Sequence, residues 1–133
     1  MLQTSPVILP ATQPESSPAV SDERLCHWAA FCVARDFDLD AASLFGSTRG
    51  APRAAYARQV AMYLAHVEFA LSFETIGRAF GRDRTTVSHA CRVVEDGRDD
   101  IWVDCRVAAL ELLCRAVPDI SDEAIESRRG DSR

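Results

Sequence analysis

Apolar and polar residues alternate along this chain with the period of a helix almost throughout. The clearest case is residues 72–95. There Phe73, Ile76, Ala79 and Phe80 recur at helical spacing and predict a short amphipathic helix, FETIGRAF. Gly81 follows and predicts a sharp turn, because glycine adopts left-handed dihedrals without steric cost. Asp83 stands where an N-cap belongs, with a carboxylate able to accept from a free amide of the next first turn. The next segment, RTTVSHACRVVE, places Val87, Ala90, Cys91 and Val94 on one face. Arg84, Thr85, Ser88, His89 and Arg92 fall on the other. Gly77 is expected to let these two helices cross closely, with Val87 plugging the crossing. The unit is a predicted helix-turn-helix, in which the N-terminal residues of the second helix reach base edges in the DNA major groove.

The same periodicity predicts further helices on both sides. One begins at a cap on Ser21 or Asp22 and runs to about Arg35, with Leu25, Trp28, Ala29 and Cys32 towards the core. Asp40 caps a short helix, AASLF. A long helix covers 53–68, burying Ala57, Val60, Ala61 and Leu64, with Pro52 suited to its start. Ser72 caps the first motif helix. A last helix covers 99–117, where Ile101, Cys105, Ala108, Leu112 and Arg115 trace one face and Trp102, Ala109 and Leu113 widen it. That face is expected to seal the core. Its breadth also suits docking to a partner or a homodimer contact.

Four of the six prolines lie in residues 1–20 among Ser, Thr and Gln, which predicts a disordered tail. Pro118 stops the last helix, and 118–133 reads as a second polar tail. Residues 21–117 are then one all-α domain, the size that 133 residues allow. No apolar run approaches the roughly 20 residues of a membrane span. The first residues lack the basic and apolar regions of an export signal, so a cytoplasmic, nucleoid-associated location is expected.

Net charge is −5, an odd value for a DNA binder until it is divided along the chain. Residues 1–48 carry two Arg against six acids and 99–133 carry five against nine. The helix-turn-helix segment, 49–98, carries eight Arg against five acids. The positive charge therefore coincides with the motif, the asymmetry that phosphate binding requires. All fifteen basic residues are arginine.

Five cysteines, Cys26, Cys32, Cys91, Cys105 and Cys114, form no CxxC pair and fall mainly on apolar helix positions. They read as small buried hydrophobes rather than metal ligands. No GxxxxGK[ST] phosphate loop, catalytic triad or paired-carboxylate cleft occurs in the sequence, so neither a nucleotide, a cofactor nor an enzymatic reaction is expected.

ARQVAMYLA followed by TIGRAFGRDRTTVSHACRVVE strongly resembles the C-terminal DNA-binding domain of DnaA, the bacterial replication initiator. The resemblance covers about 25–116 and is specific over 57–95. It implies a six-helix all-α domain that binds double-stranded DNA at a DnaA-box site, here as a stand-alone regulator of replication or transcription. It further implies an arginine from the basic loop, Arg49 or Arg53, in the minor groove. Arg58, Gln59 and His66 take the family's phosphate-contacting positions, with Ser72 and Phe73 at the start of the first motif helix. Arg82, Asp83, Arg84, Thr85, Thr86 and His89 lie in the turn and recognition helix. Two departures stand at the reading end: Gly81 alone replaces the usual two-residue turn, and Arg84 replaces a family histidine.

Overall fold

The computed structural model describes residues 20–46 and 52–118. The two predicted tails and Arg49 lie outside the described residues. Among those described are five α-helices: α1 (Asp22–Phe37), α2 (Pro52–Phe69), α3 (Phe73–Phe80), α4 (Arg84–Gly97) and α5 (Ile101–Arg115). A single 3-10 turn, Ala41–Leu44, lies between α1 and α2.

The starts of these helices follow their caps. Ser21 Oγ accepts from Arg24 N at 3.2 Å, and Asp40 Oδ1 accepts from Ala42 N at 3.2 Å. Ser72 Oγ accepts from Thr75 N at 3.1 Å and Asp100 Oδ1 from Trp102 N at 2.8 Å. Each satisfies an amide that has no partner inside its helix. Helix α1 runs two residues past the expected Arg35 and ends at Asp38, which is left-handed at φ 59°. Asp38 N–H and Leu39 N–H close that end on the Arg35 and Ala34 carbonyls.

Helix α2 is the central post. Residues Val60 to Ala65 are all buried, so this helix is covered on every side rather than along one stripe. Its alanines let neighbours approach closely: α1, α4, α5, α3 and the 3-10 turn all pack on it. Phe80 is fully buried and stacks on Phe45 at 4.6 Å between centroids, joining α3 to the 3-10 turn. Val87, Ala90, Cys91 and Val94 face inward as their spacing predicts.

Helix α5 corrects the sequence reading. The face traced by Ile101, Cys105, Ala108, Leu112 and Arg115 does not seal the core; apart from the half-buried Ala108, it is exposed. The buried stripe is Val107, Leu110 and Cys114, with Val103 at its edge. Eleven of the fifteen residues in α5 are apolar, so periodicity offers two competing stripes. The four charged residues decide between them. Arg106 Nε donates to Asp36 Oδ2 on α1 at 2.6 Å, and Arg115 Nε to Glu68 Oε1 on α2 at 2.8 Å. Asp104 and Glu111 both accept from Arg98, at 2.6 and 2.7 Å. Trp28 Nε1 adds a bond to the Cys114 carbonyl at 3.0 Å. Only one rotation of the helix satisfies all five.

The cysteine expectation holds for Cys26, Cys32, Cys91 and Cys114, which are buried, and fails for Cys105, which is exposed. Burial pushes the Cys26 thiol up to about 12 and Cys91 to about 11. Among the described residues, no helix is long and apolar enough to cross a membrane.

Candidate nucleic-acid interface

The helix-turn-helix is held at its narrowest point by Gly77. A Cβ there would lie 2.5 Å from the Arg82 carbonyl oxygen, closer than any side chain tolerates. The close approach is thus to the turn backbone, more than to the second helix. Gly81 completes the turn at φ 69°, ψ 38°, and Arg82 N–H donates to the Gly77 carbonyl at 2.8 Å.

Helix α4 then begins at Arg84 after the cap residue Asp83. Here the expectation about the carboxylate is corrected. Asp83 makes no side-chain bond to a first-turn amide. Its backbone carbonyl accepts from Thr86 N at 2.9 Å and Val87 N at 3.2 Å, while Oδ2 accepts from the Thr85 hydroxyl at 2.9 Å. The amides are served by the backbone because the first turn winds directly from the Asp83 carbonyl. The carboxylate keeps one oxygen available outward, beside the +0.5 charge equivalent of the helix N-terminus.

Asp83, Arg84, Thr85, Thr86 and His89 are all exposed and share the first two turns of α4. Arg92 extends the same stripe one turn further. The sequence places it on the solvent face, and its spacing of three from His89 is the signal that it belongs with the site. Among the described residues, Arg84 and Arg92 have no ion-pair or hydrogen-bond partner in the structure, so their guanidiniums are available to a ligand.

Other candidate residues sit near this end but are differently employed. Arg82 is half-buried, and its guanidinium donates to the Gly46, Phe80 and Gly81 carbonyls. Arg58 Nε donates to the Leu44 carbonyl at 3.0 Å, and Arg53 donates to the Phe37 carbonyl. Burial, and secondarily the nearby Arg82 charge, lowers the pKa of Arg58. Arg58 and Arg82 thus hold the backbone at 44–46, and Arg53 holds the end of α1. His66 Nδ1 bonds the Leu71 carbonyl at 2.9 Å, and its ring lies 4.5 Å from Phe73. The imidazole therefore fixes the turn that delivers Ser72, the exposed cap of α3. Gln59 is half-buried on α2.

A polar cluster that the sequence did not signal braces the far end of α4. Arg98 Nη1 donates to Tyr63 Oη at 3.0 Å, and the Tyr63 hydroxyl donates to Glu95 Oε1 at 2.8 Å. With Asp104 and Glu111 this cluster ties α2, α4 and α5 together. The bond to Glu111 raises the Arg98 pKa above its already high value, and burial raises that of Tyr63. Its members are scattered over 48 positions, so no local spacing announces them.

Comparison with known proteins places the same segment in one group. The family described as the bacterial dnaA protein helix-turn-helix matches residues 30–94. The chromosomal replication initiator protein DnaA of Mesorhizobium japonicum is 42% identical over 90 residues, covering 65% of this chain and 17% of that protein. The DnaA of Agrobacterium fabrum is 60% identical over 40 residues, 29% of this chain and 8% of that protein. A solved DNA replication initiation factor superposes with a TM-score of 0.64 at 29% identity, covering 71% of this chain and 29% of that one. The chain thus spans only a small part of the length of these relatives.

Proposed function

The helix-turn-helix domain of this chain belongs to the bacterial DnaA family, a DNA-binding domain, and from that premise we propose that the chain reads a DnaA-box-like site in double-stranded DNA. In this reading residues 21–117 form the domain. The protein acts at the nucleoid as a regulator of replication or transcription, with no nucleotide hydrolysis of its own. The observation that carries the proposal is the set Asp83, Arg84, Thr85, Thr86 and His89, exposed together at the N-terminal end of α4.

The chemistry suits base reading. Arg84 can present two donors to guanine O6 and N7, which contributes roughly 1–3 kcal/mol of discrimination. Thr85 and Thr86 offer methyls to thymine and hydroxyls to phosphate. The free oxygen of Asp83 can accept from a cytosine amino group, and Thr85 already holds its partner in place. His89, Arg92 and the exposed Ser72 suit phosphates. Arg58, Arg82 and His66 act mainly as positioning residues, since their donors already serve carbonyls of the fold. Of the two arginines proposed for the minor groove, Arg53 is engaged at the Phe37 carbonyl, which favours Arg49.

Fluorescence anisotropy across a salt series tests this, with a duplex carrying a DnaA box and a scrambled control. The expected result is a preference of about tenfold or more, about 1.4 kcal/mol, that disappears in Arg84→Ala. Equal, salt-sensitive binding to both duplexes overturns sequence reading. A second reading, a docking module that engages a partner through its last helix, is favoured by the exposed apolar face of α5. Absence of binding at low salt would move that reading to first place.

A further inference from the structure

The outward face of α5 is where the molecule spends apolar surface without covering it. Ile101 is 68% exposed, Trp102 81%, Leu112 64% and Leu113 46%. Cys105, Ala109 and Ala116 lie between and beside them, also exposed. On a helical projection these residues fill one continuous arc free of charge. All four charged residues of the helix lie outside that arc, and each is already satisfied by a partner in its own chain. Beyond Trp102 lies a mostly apolar cleft lined by Phe37, Tyr56, Val60, Val107 and Leu110, with Arg106 at its edge. The family match ends at Val94, before this helix begins.

We propose that this face pairs with the same face of a second copy of the chain, the two α5 helices running antiparallel about a two-fold axis near Ala108 and Ala109. Three observations select a second copy. The first is size. Bulky Ile101 and Trp102 occupy one end, small Cys105, Ala108 and Ala109 the middle, and Leu112 and Leu113 the other end. An antiparallel pair sets alanine on alanine at the axis, so the backbones approach closely, and brings each tryptophan over the partner's leucines.

The second is charge. Asp104 and Arg115 lie on the same margin of the arc, separated by eleven positions, about 16 Å. The antiparallel arrangement sets Asp104 of each copy beside Arg115 of the other. Both side chains are half-exposed, at 48% and 58%, and so can share a second partner. The opposite margin holds the Arg106–Asp36 pair, which enters the rim already neutralised.

The third is area. The four large side chains, 68%, 81%, 64% and 46% exposed, present on the order of 500–600 Å², the upper end of the largest apolar patch on a typical monomer. Two copies that cover those residues fully remove at most about 1,000–1,200 Å² through them, and the flanking residues bring the total to the size of a specific interface.

The pairing leaves DNA reading free. Arg84 lies thirteen residues from Gly97, about 20 Å along α4 from the turn into α5. The dimer carries two reading helices related by the same two-fold axis, a geometry that fits two inverted half-sites.

Sedimentation of the full chain without DNA, from about 1 to 100 μM, tests the inference separately from DNA binding. The expected result is a concentration-dependent doubling of the 14.6 kDa mass. Trp102→Glu and Leu112→Glu should stay monomeric, with unchanged helical circular dichroism and single-site DNA affinity within about twofold of wild type. A short bismaleimide should join two wild-type chains through Cys105 and fail to join Leu112→Glu chains. A monomer throughout this range overturns the proposal, as does a dimer that survives both substitutions. A monomer whose Trp102 is shielded from acrylamide also overturns it, since another segment of the chain then covers the face.

Discussion

Helices α4 and α5 are nearly equal in length, each follows an aspartate at its cap position, and they use their charges in opposite ways. In α4 the arginines Arg84 and Arg92 have no partner among the described residues and stand on an exposed polar face, Glu95 alone is tied to Tyr63 near the far end, and the apolar face is spent on the core. In α5 every charge is paired within the molecule, and a broad apolar face is left outside. The contrast separates two kinds of surface. Unpaired cations beside a helix N-terminus await a polyanion, whereas paired charges flanking exposed Trp and Leu orient the helix and leave desolvation as its remaining driving force.

The largest effect should come from the turn that aims α4. Gly77→Ala drives a methyl into the Arg82 carbonyl, a backbone atom with little room to retreat. A loss of about 3 kcal/mol in urea unfolding is expected, at the upper end of overpacking costs, together with loss of DNA binding. An unchanged midpoint would mean that the turn relaxes and does not set the reading angle.

Arg98→Ala should come next, at about 2 kcal/mol. It leaves Asp104 and Glu111 facing each other without their cation, in a site less enclosed than a fully buried pair. Its mark on the comparison is selectivity: stability falls while box discrimination at saturating folded protein stays. Loss of discrimination without loss of stability would show that the cluster acts on the reading end instead.

Arg84→Ala is the mirror image. The side chain is exposed and unpaired, so unfolding should shift by less than about 0.5 kcal/mol while discrimination falls by roughly 1–3 kcal/mol.

The smallest effects concern the thiols. Cys105 should react with a thiol reagent at once, and Cys26 and Cys91 only on unfolding, counted by mass spectrometry. The pH dependence follows from the same burial. Both folded thiols sit above the ordinary value of 9, at about 12 and 11, so the neutral form is favoured by folding. Their contribution is fully present below pH 9 and is lost as pH rises through 11 to 12. Alkaline unfolding should therefore be weaker in Cys91→Ala once its baseline stability is matched.

Much of this was legible in the chain. The caps at Ser21, Asp40 and Ser72, the left-handed Gly81, the inward set Val87, Ala90, Cys91 and Val94, and the outward set starting at Arg84 are all readable from spacing. Each depends on contacts within one or two helical turns. What local spacing did not show has a cause of the opposite kind. The facing of α5 depends on Asp36, Glu68 and Arg98, residues up to 70 positions away. The same separation hides the carbonyls of Phe37, Leu44 and Gly46 that Arg53, Arg58 and Arg82 hold in the folded molecule. For Asp83 the position was legible and the bond was not: its backbone carbonyl takes the amides of Thr86 and Val87, and its carboxylate takes the Thr85 hydroxyl.

By itself, then, the sequence determined the helices, the caps at Ser21, Asp40 and Ser72, the helix-turn-helix and the polarity of α4, because short-range periodicity and capping chemistry suffice for those. The rotation of α5, the exposure of Trp102 and the conversion of three arginines into clamps were decided only by tertiary structure. A helix apolar nearly all round has two faces of similar hydrophobic value. Only ion pairs reaching across the fold break that tie, and they form between residues whose proximity no local pattern encodes.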